Sequence, residues 1–227
     1  MVVELTEASE EFRAPVPYEI TFYGWMVKRV FDCVLGVIVI PSVMVVALGL
    51  IIVNPFLNPG PLFEFRKCMG RYGEEFNMVS FRTRLICDDA RDARLAAWRD
   101  SGHTRFGRLL YRSRLESFPN VFNILRGEMS FIGPRPDLYN LARLYRAVVP
   151  GYGIRLAVRP GVIVPEYNFD GLTSLEVLRE RVDADVNYVL MLSVFEDARI
   201  FRSAFVRRTR GAGSQADLLW RPKTYDC

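Results

Sequence analysis

The sequence predicts an α/β, helix-rich fold: a single membrane-associated domain with a membrane helix near its N-terminus that Pro41 opens to a kinked, re-entrant course. Three observations predict it. Val34 to Val53 is an uncharged run of twenty residues. Beyond it, short strand-like runs around Gly70 and Gly73 give way to helical periodicities. The mean hydropathy of +0.09 is high for a wholly water-soluble domain. The 227 residues are 50% apolar and 25% charged, which supplies a core and excludes disorder throughout.

Residues 1–27 are expected to be a flexible tail, the first twenty being polar with two prolines. Residues 28–57 form the membrane helix, whose uncharged run meets the roughly 20 residues a bilayer core needs. It begins too deep in the chain for a secretory signal peptide, and no small-residue cleavage site follows. Lys28 and Arg29 precede it and Arg66, Lys67 and Arg71 follow, so charge shows no inside/outside asymmetry. Pro41 removes a backbone hydrogen bond in mid-helix. A full crossing and a bend back to the same leaflet both remain; Pro41 and the basic flanks bring in the re-entrant form. Asp32, at the entrance, pairs with Arg29 or sits among headgroups.

Residues 58–210 form the main domain. Asn58-Pro59-Gly60-Pro61 is a turn cluster, and 62–82 hold short strands. Cys87 to Arg99 reads as a surface helix and 104–113 as an amphipathic one. Phe118, Val121, Phe122 and Leu125 keep helical spacing, so a helix is expected over 116–126, with Pro119 in its first turn and Gly127 past its end. Gly133-Pro134-Arg135-Pro136 and Arg159-Pro160-Gly161 read as rigid loops. Helices are expected over 137–149 and most of 175–204, and 211–227 is a loose tail.

The net charge is +4, and Arg supplies nearly all the cations, with Lys only at 28, 67 and 223. Arg's planar fork suits phosphate ligands and anionic headgroups, and no nucleic acid partner is expected. Cys33, Cys68, Cys87 and Cys227 show no paired spacing, which argues against a disulfide framework or a zinc site. His103 is the one histidine, so multi-His metal sites are excluded. No Walker or dinucleotide-binding motif is present. Glu116, expected at a helix N-terminus, stays ionised there and can serve as nucleophile or metal ligand; on spacing alone a Glu in a first turn is most often a plain helix cap. Arg105, Arg108, Arg112 and Arg114 lie upstream, as a diphosphate receiver or a solvated, headgroup-facing run. Arg135, fixed between two prolines, is the most directed of the arginines.

These motifs resemble the bacterial sugar transferases, monotopic phosphoglycosyl transferases that start glycan assembly on polyprenol phosphate. The resemblance covers about residues 28–205. Lys28-Arg29-Val30-Phe31-Asp32 is similar to the family's entrance to a re-entrant helix, and Pro41 to its kink proline. Pro59-Gly60-Pro61-Leu62-Phe63, Phe81-Arg82-Thr83 and Arg105-x-Gly107-Arg108 follow family patterns. Asn123 to Pro136 is close to the family signature, with Gly133-Pro134-Arg135-Pro136 at its end. Arg159-Pro160-Gly161 and the spaced set Asp185, Tyr188, Ser193 and Asp197 match later motifs.

The resemblance implies transfer of a sugar 1-phosphate from a nucleoside diphosphate sugar to polyprenol (undecaprenyl) phosphate in exopolysaccharide or surface-glycan synthesis. It implies Mg²⁺, with Glu116 as its ligand, and a covalent phosphosugar intermediate on a carboxylate. It implies a catalytic pair at Glu116 and Ser117, and phosphate binding by Arg82, Arg112, Arg135 and Arg159. The location implied is the bacterial inner membrane with a cytoplasmic catalytic domain, among inner-membrane lipids. A homodimer or glycan-assembly partners are compatible with it. Some motif positions depart. The family's Asp-Glu pair reads Glu116-Ser117, and Ser117 brings no charge to Mg²⁺. Ser80 replaces a Lys, Cys68 an Arg, and Tyr111 an Arg that leaves Arg112 or Arg114 to compensate. Val162 to Tyr167 stands for the family's I-T-G-W-A-Q. An active, divergent enzyme and a non-catalytic paralogue that binds polyprenol phosphate or an assembly partner are both compatible with that pattern.

Overall fold

The computed structural model describes residues 22–57, 60–83, 105–165 and 174–209. The expected surface helix Cys87–Arg99, the C-terminal tail and His103 lie outside the described residues. Helix α1, Phe22–Leu57, begins upstream of the expected Lys28 and stays helical through Pro41 and Pro55. Asp32, Gly36, Val43, Leu50 and Asn54 are buried along one stripe. Their spacings of four and seven keep one face turned to the domain. The opposite face leaves Val37, Ile38, Val45, Leu48 and Ile52 well exposed, and Pro41 lies on an exposed position.

The expected strands form a hairpin. Strand β1, Phe63–Met69, pairs antiparallel with β2, Glu75–Phe81, from Phe63↔Phe81 to Met69↔Glu75. Phe63 and Phe81 stack at 5.5 Å. Helix α2, Arg105–Arg112, is where the amphipathic pattern put it. The expected 116–126 helix divides into a 3₁₀ turn, Leu115–Ser117, and α3, Asn120–Arg126. Pro119 is the reason: it has no N–H to continue a helical ladder, yet its φ of −63° suits a helix start. Gly127 ends α3 at φ +89°, where its N–H reaches Ile124 O.

The two loops expected to be rigid are instead paired. Strand β3, Ser130–Ile132, runs parallel to β4, Gly161–Ile163. Ser130 N donates to Pro160 O, Gly133 N to Ile163 O and Gly161 N to Pro134 O, at 2.8–3.0 Å. Helix α4, Tyr139–Val148, lies between these strands in sequence. The long C-terminal helical run splits into α5, Ser174–Leu190, and α6, Val194–Thr209. Ser193 Oγ accepts Glu196 N at 3.2 Å, a serine cap that starts α6.

The core forms around these pieces. Met69, Ala142, Val149, Tyr152, Leu156 and Val182 join β1, α4 and α5. Ile132, Val158, Tyr188 and Ile200 join the β3–β4 pair to α5 and α6, with Trp25 of α1 packed against them. Leu50, Phe81 and Leu110 hold α1, β2 and α2 together, and Leu115 and Phe118 lean on that cluster.

The basic entrance of α1 turns into the protein. Lys28 Nζ contacts Asp197 Oδ2 at 2.5 Å and Tyr188 Oη at 3.1 Å. Arg29 donates to Ile124 O and Leu125 O at 2.5 and 2.7 Å. Asp32 Oδ1 accepts Ser130 Oγ and Phe131 N at 3.1 and 3.0 Å. The expected Arg29–Asp32 pairing and headgroup placement are therefore corrected. The last carbonyls of α3 lack the usual partner four residues on, Ile124 O meeting only Gly127 N, and draw the guanidinium. The start of β3 likewise supplies donors to the carboxylate.

Candidate active site

Glu116 sits half-buried in the 3₁₀ turn that precedes α3. The chain enters this turn through Arg114, whose φ of +61° is left-handed and uncommon for a residue with a side chain. Thr83 Oγ1, just past β2, donates to Glu116 Oε2 at 3.4 Å. Leu115 and Phe118 on either side pack against the Leu50–Phe81–Leu110 cluster. The carboxylate is thus anchored beside the apolar helix by its neighbours, while its own oxygen meets one hydroxyl. Ser117 follows it, half-buried, with its N–H on Arg114 O at 3.3 Å.

Arg82 is nearly buried beside this turn. Its Nε donates to Pro61 O at 2.8 Å and its backbone N to Leu62 O at 2.9 Å. Part of this guanidinium is therefore engaged in fastening the segment that leaves α1. Arg112 closes α2 just upstream of the turn. Ser80, which replaces a family Lys, accepts Arg66 Nη2 at 3.2 Å. A guanidinium from the neighbouring strand thus stands where the motif has lost a cation. Cys68 is packed with Phe76, Ile124 and Met129, and burial pushes its thiol up to about 11, so it remains a neutral core group.

Arg135 projects an exposed side chain from a loop held firmly beneath. Arg155 Nη2 donates to Arg135 O at 2.5 Å, and Arg155 Nη1 meets Asp137. Arg181 and Tyr152 also donate to Asp137 Oδ2, each at 2.8 Å, and Arg155 Nη2 lies 2.9 Å from Asp185 Oδ2. Burial alone would raise the Asp137 carboxyl, but Arg155 and Arg181 hold it below the usual carboxylate range.

The structure brings Glu116, Thr83 and Arg82 to one end of the hairpin. It puts Arg159 elsewhere, 5.4 Å from the Trp25 ring and close to Gly127. Gly127 ends α3, whereas Glu116 precedes its start, so the two groups flank opposite ends of a seven-residue helix. No contact joins Arg135 or Arg159 to Glu116 among the described residues. Arg66, Trp25, Arg155 and Asp137 were not legible as site neighbours, because each reaches its place through a partner distant in sequence. The signal for Arg66 was the cation missing at Ser80.

Among the described residues no group of three or more His, Cys, Asp or Glu gathers. Glu116 offers one carboxylate, which fits a Mg²⁺ completed by substrate phosphates and water. It does not make an all-protein cage.

A half-buried carboxylate in a tight turn beside a buried arginine, on a domain that carries one long and largely exposed apolar helix, is the class of site that can serve phosphate chemistry. Comparison narrows that class. The pattern of the family described as Bacterial sugar transferase matches residues 23–210, and the chain belongs to that family. A UDP-glucose:undecaprenyl-phosphate glucose-1-phosphate transferase of Xanthomonas campestris is 32% identical over 82% of this chain and 39% of its own length. A protein of the same description from Caulobacter vibrioides is 32% identical over 76% of this chain and 66% of its own. An exopolysaccharide production protein of Rhizobium leguminosarum is 30% identical over 73% of this chain and 92% of its own. The chain thus spans about two fifths of the Xanthomonas relative and just under two thirds of the Caulobacter one.

Proposed function

We propose that this protein transfers a sugar 1-phosphate from a nucleoside diphosphate sugar to polyprenol phosphate, in exopolysaccharide or related surface-glycan synthesis. The observation that carries the reading is Glu116 in its turn beside α1. A Glu116 oxygen attacks the phosphorus bonded to the sugar. The P–O bond to the nucleoside monophosphate breaks, and that group leaves with the bonding pair. An oxygen of the lipid phosphate then attacks the same phosphorus and displaces the Glu116 carboxylate. Two easier substitutions replace one exchange between anions. Arg82, Arg112 and Arg135 are proposed to face the phosphates, and Thr83 to orient Glu116. Mg²⁺, held by Glu116 and the substrate, would offset diphosphate charge.

The same reading puts the protein on the inner membrane with its domain in the cytoplasm. One physical argument supports a re-entrant helix. Within Trp25–Leu57 an 18-residue stretch has a mean hydropathy of 2.8 and is mostly exposed. Yet Asp32 bonds to β3 near one end of α1, and Leu50 packs on Phe81 and Leu110 near the other. One polar domain on one side of a bilayer touches both ends, which a straight crossing forbids.

The test is intact mass of the full chain in detergent with a panel of nucleotide sugars, Mg²⁺ and no lipid acceptor. The expected result is a phosphosugar adduct that Glu116→Gln abolishes, an amide being a poor nucleophile. Ser117 and Tyr111, where the motif loses a carboxylate and a cation, favour a second reading as a lipid- or partner-binding paralogue. No adduct and no nucleoside monophosphate release, with lipid still bound, selects it.

A further inference from the structure

We infer that Arg71, Arg159 and Trp25 form a binding site for the phosphate of an anionic membrane phospholipid, separate from the transfer site. The inference rests on the proposed membrane association of α1. Arg71 Cζ lies 3.9 Å from the centroid of the Trp25 ring and Arg159 Cζ 5.4 Å from it. Two guanidiniums thus crowd one indole, and Arg29 stands close by, its guanidinium and that of Arg159 both within 4 Å of the point where a Cβ on Gly127 would lie. Like charges do not gather this way unless something negative offsets them.

The protein supplies little that does. Arg29 is satisfied by the carbonyls of Ile124 and Leu125. Arg71 Nε donates to Ala157 O at 3.0 Å, and Arg71 Nη2 to the Tyr72 hydroxyl. Arg159 donates to no protein oxygen among the described residues; its guanidinium lies over the indole face. No carboxylate pairs with any of the three arginines among those residues. Asp32 is a nearby carboxylate whose charge acts on Arg159, but it forms no ion pair with it and its Oδ1 accepts Ser130 and Phe131, while Lys28 is taken by Asp197. Burial and the nearness of Arg29 and Arg71 pull Arg159 below the usual guanidinium value. A half-buried, oxygen-starved guanidinium beside two others is a receptor for a doubly accepting anion.

The place selects a lipid. Trp25 stands in the opening turns of α1, and Met26, Val27, Val30, Phe31 and Val34 soon after it are all exposed. The arginines therefore sit where the apolar face begins. That is headgroup level for a helix lying in a bilayer, with tryptophan at its usual interfacial depth. Helix α3, about 10 Å long at 1.5 Å per residue, separates this cluster from Glu116.

The test uses the full chain in detergent micelles with Trp98→Phe and Trp220→Phe, which leaves Trp25 as the sole indole. Its emission is followed on titration with short-chain phosphatidylglycerol. A saturable change is expected, absent with short-chain phosphatidylcholine and weakened by salt. Arg159→Gln and, separately, Arg71→Gln should each raise the half-saturation point about tenfold or more, as for a lost charge-assisted hydrogen bond. Melting temperature checks that each variant folds. Glu116→Gln should leave this binding unchanged, so failure of the transferase reading and failure of this site are told apart. Equal response to phosphatidylcholine, equal response to inorganic phosphate, or folded Arg159→Gln and Arg71→Gln proteins that both bind as wild type would each overturn the proposal. Tighter binding of a polyprenyl monophosphate, lost in Glu116→Gln, would make the cluster part of the transfer site and overturn it too.

Discussion

Asp137 accepts hydrogen bonds from Tyr152, Arg155 and Arg181 with its side chain almost out of water. The same Arg155 holds the Arg135 carbonyl, so one buried carboxylate fixes the backbone from which Arg135 projects. Removing the charge would leave Arg181 without a counterion among the described residues and Arg155 with Asp185 alone. Asp137→Asn should cost about 3–5 kcal/mol, the range for breaking a buried pair from one side. The sign with pH follows from the lowered carboxyl. The folded state binds its proton less readily than the unfolded chain. The stabilisation is complete above the unfolded carboxylate value near 4 and drains away as pH falls through the lower folded value. Melting in detergent between pH 6 and pH 3 should therefore show a steep acid loss for wild type and a shallower one for Asp137→Asn. Equal slopes would mean that another carboxylate governs acid unfolding.

The β3–β4 pair brings two glycines back to back. A Cβ on Gly161 would lie 2.1 Å from Gly133 N, and one on Gly133 would lie 2.5 Å from Arg159 O. Backbone cannot yield there as a flexible side chain can. Gly161→Ala should lose at least about 2 kcal/mol, within the range for overpacking, measured by chemical denaturation. Gly49→Ala is the control: nothing lies within 4 Å of its added methyl, and a helix interior gains up to about 1 kcal/mol from alanine. This pairing also marks where reading the sequence stops. The strands around Gly70 and Gly73, α2, α4 and the Gly127 stop were legible because each depends on local periodicity or turn chemistry. Gly133-Pro134-Arg135-Pro136 and Arg159-Pro160-Gly161 carry loop chemistry, and strands of three residues hold no period to detect. Their partners lie some thirty residues apart, and only the fold brings them together. The site divides the same way. Glu116 and Arg82 were each legible as candidates from their motifs, but their nearness was not, since β2 carries Arg82 to the turn from 34 residues upstream. The separation of Arg159 from Glu116 was not, because it depends on which end of α3 meets α1.

Helix α1 has 36 residues, about 54 Å if straight, and a bilayer core is about 30 Å thick. Length alone would let it cross. What opposes crossing is the distribution of its contacts. Asp32 and Gly36 face β3 and α3, Leu50 faces β2 and α2, and charged groups such as Asp137, Arg155 and Asp185 lie inside the same body. Pulling either end across the membrane would strip Asp32 of its donors or Leu50 of its cluster. Pro41 lies between these anchors on an exposed position, where its missing N–H leaves α1 easiest to bend. Both ends should therefore lie on the cytoplasmic side. Single cysteines placed at Val2 and at Thr224, in a chain otherwise free of cysteine, should resist a membrane-impermeant maleimide in intact cells and react after lysis. Pro41→Leu restores the hydrogen bond and stiffens the helix, so it should raise external labelling of one terminus. The Asp32→Ala variant, which loosens the anchor to β3, should act in the same direction. Labelling of one wild-type terminus from outside would mean that α1 crosses, and that its contacts with the domain give way in the bilayer.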